Sequence, residues 1–364
     1  MKVRDIASFL DNAIPLSFQE SYDNAGLQVG DPENEITSAL LTLDVTEEIL
    51  EEASLSGCGI IIAHHPLIFA PLKKLTGRTY QERIVKRAIK DNIAVYACHT
   101  NLDTFNYSVS RKMAEKISLQ NIEVLSPAKD KVCKLVTFVP EDHIDKVRNA
   151  IFEAGAGVLG KYDRCSFNAE GSGTYRAGEG TSPFRGEEGE FHSEKEIRLE
   201  TVFLSHLRPL VLGALRQSHP YEEVAYDIYS LDNELFSSGL GCHGKLPEKV
   251  RAGDFLEMLA DVFGAGGIRY AGSRDTYIEK VALCGGSGAS LLGDAIRAGC
   301  DAFVTGDIKY HDFFNTEGRL LLVDIGHHES EKFAPEILYE LIIKKFPTFA
   351  LRFSEKNTNP INYL

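Results

Sequence analysis

Two hydrophobic rhythms alternate along the first third of the chain. Residues 36–45 are an apolar run that reads as a buried strand, and Thr46 follows as a helix N-cap. Glu47, Glu48, Glu51 and Glu52 then place negative charge in the first turns, where the helix dipole favours it. Residues 59–63 form a short apolar strand that runs into His64-His65-Pro66. Residues 78–92 carry Ile84, Val85, Ala88 and Ile89 on one stripe, the spacing of an amphipathic helix. Residues 93–98 make the next strand and end at His99-Thr100-Asn101-Leu102-Asp103. Strands separated by helices predict a mostly parallel sheet with helices on its faces.

The pattern changes between about residues 126 and 231. A strand at 133–140 and a helix at 141–154 precede the Gly-rich run Gly155-Ala156-Gly157-Val158-Leu159-Gly160 and a stretch at 169–190 dense in Gly, Ser and Glu. Residues 196–204 alternate like a strand with one solvated face, and a helix at 207–218 and a strand at 225–231 follow. This order predicts an inserted ferredoxin-like α+β module. After residue 233 the α/β rhythm returns, with strands at 277–284, 302–305 and 320–324, a helix at 289–298 and a long helix at 329–345. The expected fold class is therefore α/β, with two halves of similar layout forming one unit that the module interrupts. The expected domains are 1–125, 126–232 and 233–364.

The chain's 364 residues suit two or three domains. With 43% hydrophobic and 25% charged residues, neither whole-chain disorder nor a fibrous repeat fits. Charge adds up to −14, from 39 basic and 53 acidic residues, and no basic run exceeds two. Such a surface repels phosphate backbones, so nucleic acid is not an expected partner. No stretch approaches the apolar length of a membrane span, and no secretory signal is evident at the start. The seven scattered cysteines, never spaced C-x-x-C, read as reduced thiols in the cytoplasm.

In open α/β sheets, chemistry gathers past the carboxyl ends of strands. Three such ends here carry metal-ligand residue types: His64-His65, His99 through Asp103, and Gly326-His327-His328-Glu329-Ser330-Glu331. His327 and Glu331 are four apart, so a helix there puts both on one face. A single histidine is more often a satisfied polar residue than a ligand, but three clusters at three strand ends make a plausible set for two divalent cations. His143, His192 and His206 sit on charged or amphipathic segments of the module and read as surface residues. Gly285-Gly286-Ser287-Gly288 could present N–H groups to a phosphate, although close strand–helix packing also demands glycine. Thr305-Gly306-Asp307 could line a pocket or cap the following helix.

Taken together, Tyr22-Asp23-Asn24-Ala25-Gly26-Leu27-Gln28-Val29-Gly30, Ala63-His64-His65-Pro66, His99-Thr100-Asn101-Leu102-Asp103, Thr305-Gly306-Asp307 with His311, and Gly326-His327 with Glu331 resemble the GTP cyclohydrolase 1 type 2 homologue family, the Nif-three-like dinuclear-metal proteins. The resemblance implies that His64, His65, Asp103, His327 and Glu331 bind two divalent cations per subunit, zinc first, with manganese or iron as alternatives. It also implies a toroidal homohexamer built as a trimer of dimers. The Gly155-to-Phe167 run and His219-Pro220-Tyr221-Glu222-Glu223-Val224-Ala225-Tyr226-Asp227 look like the signatures of the long family members, whose inserted domain is similar to PII and CutA. One departure stands out: many relatives have Gly-Gly-x-Asn soon after the aspartate, whereas Thr104-Phe105-Asn106-Tyr107 follows Asp103.

The leading expectation is a dinuclear-metal hydrolase of a small, nucleotide-like substrate, with GTP suggested by the family name alone. His99, and after it His311, are the candidates for proton transfer. The alternatives are a non-enzymatic metal-binding or regulatory assembly and a dinuclear phosphoesterase.

Overall fold

The computed structural model describes residues 1–103 and 107–364. Thr104, Phe105 and Asn106, part of the departure from the family pattern after Asp103, lie outside the described residues. The chain forms two compact units, one made of residues 1–127 and 236–364 and the other of residues 128–235.

The larger unit holds two sheets. In the first, the strands run in the order Gly26–Val29, Ala94–Ala97, Ile60–Ala63, Ser38–Thr42 and Ala350–Phe353. All are parallel except Gly26–Val29, which closes one edge antiparallel to Ala94–Ala97. Register builds the rim of this sheet. Thr42 pairs with Ala63 and Ala63 with Ala97, so three strands end level with one another. The residues just beyond them, Asp44, His64, His65 and His99, are thereby brought to one rim.

The second sheet has the order Arg269–Ala271, Leu321–Asp324, Ala302–Gly306, Tyr277–Ser287, Leu235–Arg251 and Gln120–Ala128. Its three consecutive strands from Tyr277 to Asp324 are parallel and again end level, with Ser287 paired to Gly306 and Thr305 to Asp324.

Unbroken apolar strands are the signature of sheets buried on both faces, and burial here splits as the pleat requires. Ile60, Ile62 and Tyr96 join Val281, Leu283, Val304 and Val323 in one core shared by both sheets. Ile61 and Val95 face the other way, against Ile49, Ile84 and Val85 of the Glu47–Leu55 and Tyr80–Lys90 helices. Thr46 caps the first of these as expected, its hydroxyl accepting from the Ile49 amide at 3.3 Å.

The expected helix at 329–345 is two helices, His327–Glu331 and Ala334–Lys345. Pro335 explains the break: it has no N–H, and its ring opposes the carbonyl of residue 331 in a continuous helix. The helices Val3–Ala13 and Ala252–Phe263 add to the expected elements, and Val3, Ile6, Ala7 and Leu10 of the first have helical spacing and bury one face.

The smaller unit is a four-stranded antiparallel sheet in the order Phe167–Arg176, Phe191–Leu204, Val132–Pro140 and Tyr226–Leu231. The helices Ile144–Glu153 and Arg208–Ser218 cover it through Val147, Ile151, Val211 and Leu215. Part of the Gly- and Ser-dense stretch is a strand here, because its backbone pairs in unbroken register with ten residues of Phe191–Leu204.

Candidate metal centre

Four imidazoles are anchored in the same way. The His64 Nδ1 lies 2.7 Å from the Cys98 carbonyl, which only accepts, so Nδ1 carries the proton and Nε2 keeps its lone pair. Carboxylates do the same for the others, each at 2.7 Å from Nδ1: Asp44 for His65, Asp23 for His99 and Asp307 for His327. Each ring is thus turned so that Nε2 is the nitrogen left for a ligand or a proton.

Glu331 sits at the focus, buried at 4% exposure. Its Oε2 lies 2.8 Å from His65 Nε2 and 2.9 Å from His327 Nε2. Its Oε1 lies 3.7 Å from His64 Nε2, and Asp103 Oδ2 is 3.8 Å from that same nitrogen. His64, His65 and Glu331 form a compact group able to hold a metal ion. Two observations fit that use. The His65 and His327 Nε2 atoms approach to 3.3 Å, close to the roughly 3.3 Å separation of two nitrogens on one tetrahedral zinc. His64 Nε2 and Asp103 Oδ1 are buried without any hydrogen bond among the described residues. Buried polar atoms are normally paired, so orphans aimed into one cluster are in keeping with a site able to hold a cation.

Electrostatics says the same. Burial alone would raise the Glu331 carboxyl, but hydrogen bonds from His327 and the neighbouring imidazoles hold it well below the usual range. Burial would lower His65 and His327, yet Asp44 and Glu331 push His65 up to about 10, and Glu331 with Asp307 pushes His327 up to about 9. Burial raises Asp103, opposed by His64. Rings so placed attract positive charge, and a divalent cation supplies it on the same lone pairs while releasing protons.

The structure therefore brings together His64, His65, Asp103, His327 and Glu331. His99 stands beside them, its ring 5.5 Å from those of both His64 and His65. Its partner Asp23 also accepts from the Thr100 amide at 3.0 Å and from the Thr100 hydroxyl. Burial would raise Asp23, but these bonds from His99 and Thr100 hold it down to about 2. His311 is exposed in the Tyr310–Thr316 turn, edge-on to Tyr310 and beside Phe314, with no hydrogen bond or ion pair to the cluster among the described residues.

Comparison with known proteins places the chain in a family. The family model of Duf34/NIF3 (NGG1p interacting factor 3) matches residues 1–360. The chain belongs to the Duf34/NIF3 family. The protein called GTP cyclohydrolase 1 type 2 homolog in Halalkalibacterium halodurans is 41% identical over 317 residues, covering 86% of this chain and 85% of that one. The Bacillus subtilis protein of the same name is 36% identical over 371 residues, covering 99% and 98%. A solved Bacillus cereus protein related to NIF3 matches with a TM-score of 0.84 at 36% identity, over 100% of this chain and 99% of that one. No helix among the described residues is long and apolar enough to cross a membrane.

In this Duf34/NIF3 chain the glycine run at 285–288 serves packing. The Gly285, Gly286 and Gly288 amides donate to the hydroxyls of Ser110, Ser330 and Thr305 at 3.2, 2.9 and 2.9 Å, so they are spent inside the protein. A Cβ on Gly286, whose φ is +61°, would lie 2.1 Å from Glu331 Oε1. Glycine is required there because the Glu331 carboxylate passes directly over the backbone.

Asp44 and Thr358 are residues around the cluster that sequence reading does not single out, and it shows Asp307 only as part of the polar strand end Thr305-Gly306-Asp307. The Thr358 hydroxyl donates to Asp44 Oδ2 at 2.6 Å, tying the C-terminal segment to the carboxylate that orients His65. Asp44 and Asp307 each follow a strand, which is the one signal that points to them.

Proposed function

We propose that the chain is a dinuclear-metal hydrolase of a small, nucleotide-like substrate. The observation that carries this reading is the division of labour at Glu331. Its Oε2 faces His65 and His327, and its Oε1 faces His64, with Asp103 alongside. His64, His65, Asp103, His327 and Glu331 would together hold the two divalent cations. Zinc suits the imidazole-rich set, and manganese or iron suit it with its carboxylates. When bound, such a pair supplies Lewis acidity and a water acidic enough to ionise near neutral pH.

The protein's own groups do the rest. Asp23 fixes the His99 tautomer, leaving His99 Nε2 to accept or deliver the proton as a bond breaks. Phe69, 6.3 Å from the His99 ring, and Tyr22, 6.4 Å from Phe69, form an apolar approach on which a flat heterocycle can rest. The shared name of the relatives makes GTP the first substrate to test.

The test is formate release from GTP by protein loaded with zinc, manganese or iron, compared with a His64→Ala, Asp103→Ala double variant. Product from the wild type alone supports the reading. Equal background from both removes it for GTP, and the same pair should then be assayed on phosphodiesters.

The domain boundaries 1–125, 126–232 and 233–364, the relatedness of the two α/β halves, a PII/CutA-like character for the middle domain, a homohexameric trimer of dimers and a cytoplasmic location are part of the same proposal. The four-stranded sheet order of the smaller unit supports the ferredoxin-like assignment, since strand order 2-3-1-4 in that unit is the one such a fold requires.

A further inference from the structure

The smaller unit contains a cleft of about 620 Å³, within the size range of small-molecule sites. It lies over the hairpin formed by Phe167–Arg176 and Phe191–Leu204. The chemistry of its floor is set by one strand face. Glu194, Glu196 and Glu200 project from alternate positions of Phe191–Leu204 and so share that face. Glu194 is paired with Arg185 and His192, and Glu200 with Lys134 and Arg198. Glu196 is different. At 8% exposure it is buried, it accepts a hydrogen bond from the Tyr221 hydroxyl at 2.8 Å, and it has no cationic partner among the described residues.

A buried carboxylate without a cation is costly, because desolvation is not repaid by any opposite charge. Glu196 lines the cleft. Its Oε2 packs against the backbone of Gly173, where a Cβ would fall 2.0 Å from it, so glycine is what lets the carboxylate reach this position. Three aromatic rings wall the cleft, with centroids 6.2 Å apart for Tyr175 and Tyr221 and 6.1 Å apart for Phe184 and Tyr221. Ring faces carry negative potential, which attracts organic cations. The segment at 177–190 is already fastened over this space. The Tyr175 hydroxyl donates to the Arg185 carbonyl at 2.6 Å, the Ser182 amide to Glu222 at 3.0 Å, and the Arg185 guanidinium to Asp142 at 2.7 Å. Of the two arginines that line the cleft, Arg198 is occupied by Glu200 at 2.9 Å and Arg176 is exposed.

We infer that this cleft is a binding site for a small organic cation, an amine or amidine carried on an apolar body, with Glu196 as its counter-ion and Tyr175, Phe184 and Tyr221 as its walls. The site is independent of the hydrolase reading, since none of its residues belongs to the metal centre.

Calorimetric titration of the full chain with benzamidine, benzyl alcohol and benzoate tests it. Benzamidine should bind with a dissociation constant below about 1 mM, with the neutral and anionic compounds at least about tenfold weaker. Glu196→Gln should weaken benzamidine at least about tenfold, the scale of a lost charge-assisted contact. Tyr175→Ala removes a wall without touching the carboxylate and should weaken it several-fold, which keeps the test usable if the Glu196 variant does not fold. His64→Ala should bind like the wild type. Equal binding of all three compounds, or no loss in Glu196→Gln, overturns the proposal. Absence of binding, with Glu196→Gln changing the sedimentation mass, also overturns it and assigns the carboxylate to a basic side chain of a second copy.

Discussion

The metal centre and the cleft of the smaller unit both bury carboxylates, but they do so in opposite styles. At the centre, Glu331 touches three imidazoles, each turned by its own Nδ1 partner, and the unpaired atoms point inward at one place. In the cleft, one carboxylate stands among aromatic rings while its neighbours on the strand are neutralised. The first is a network in which removing any member strands several others. The second is a lone charge whose removal strands only a phenol. The contrast teaches that the centre's function is tied to its folding, whereas the cleft's is separable from it.

The sharpest break of that contrast is Glu331→Gln. It removes the charge that Oε1 and Oε2 present to the imidazoles and leaves those nitrogens facing an amide. Metal content, measured by elemental analysis after equilibrium dialysis, should fall with a loss in affinity above about 100-fold. Glu196→Gln should leave metal content unchanged. Gly286→Ala comes next, because it combines a left-handed backbone with a Cβ 2.1 Å from Glu331 Oε1. Urea denaturation should show a loss of about 1–2 kcal/mol from the backbone alone, accompanied by weaker metal binding.

Legibility in the sequence divides along the same line. His64, His65 and Asp103 are visible because each sits within a few residues of an apolar run, and a run that ends abruptly in ligands has few other readings. His327 and Glu331 are visible through their four-residue spacing. Asp44 is not, since a single aspartate after a strand is also an ordinary turn residue, and Asp307 is visible only as part of a polar strand end, not as the partner of His327. Their meaning lies in a register that aligns strands distant in sequence. Glu196 is illegible for a plainer reason: in a run of alternating Glu, Lys and Arg, the buried glutamate looks like every other member of a solvated face. The helix Val3–Ala13 is absent from the expected elements although its apolar spacing is helical. The strand Phe167–Arg176 is not readable from spacing, because its glycines carry no periodicity and only its partner defines it.

Two graded substitutions sharpen the comparison from the outside of the centre. Asp44→Ala frees the His65 ring and should cost about 10- to 100-fold in metal affinity, the usual weight of a partner that orients a ligand. Thr358→Ala removes one hydrogen bond to that same carboxylate and should cost about two- to tenfold. If the two effects are equal, Asp44 depends wholly on Thr358, and the C-terminal segment becomes a clamp on the site.

The smallest effect falls in the cleft. Tyr221→Phe keeps the ring and deletes the hydroxyl that donates to Glu196 at 2.8 Å. Two consequences oppose each other. The carboxylate loses a hydrogen-bond donor, which leaves one of its buried oxygens without a partner. The oxygen that Tyr221 held becomes free for the cation, which favours a second contact. A neutral donor contributes less than a cation's charge-assisted bond, so the gain and loss nearly cancel, and benzamidine affinity should change by no more than about threefold. A tenfold loss in this variant would mean that the phenol, rather than the carboxylate's charge, organises the cleft. The lone-charge description would then fail, and the two regions would share the networked style after all.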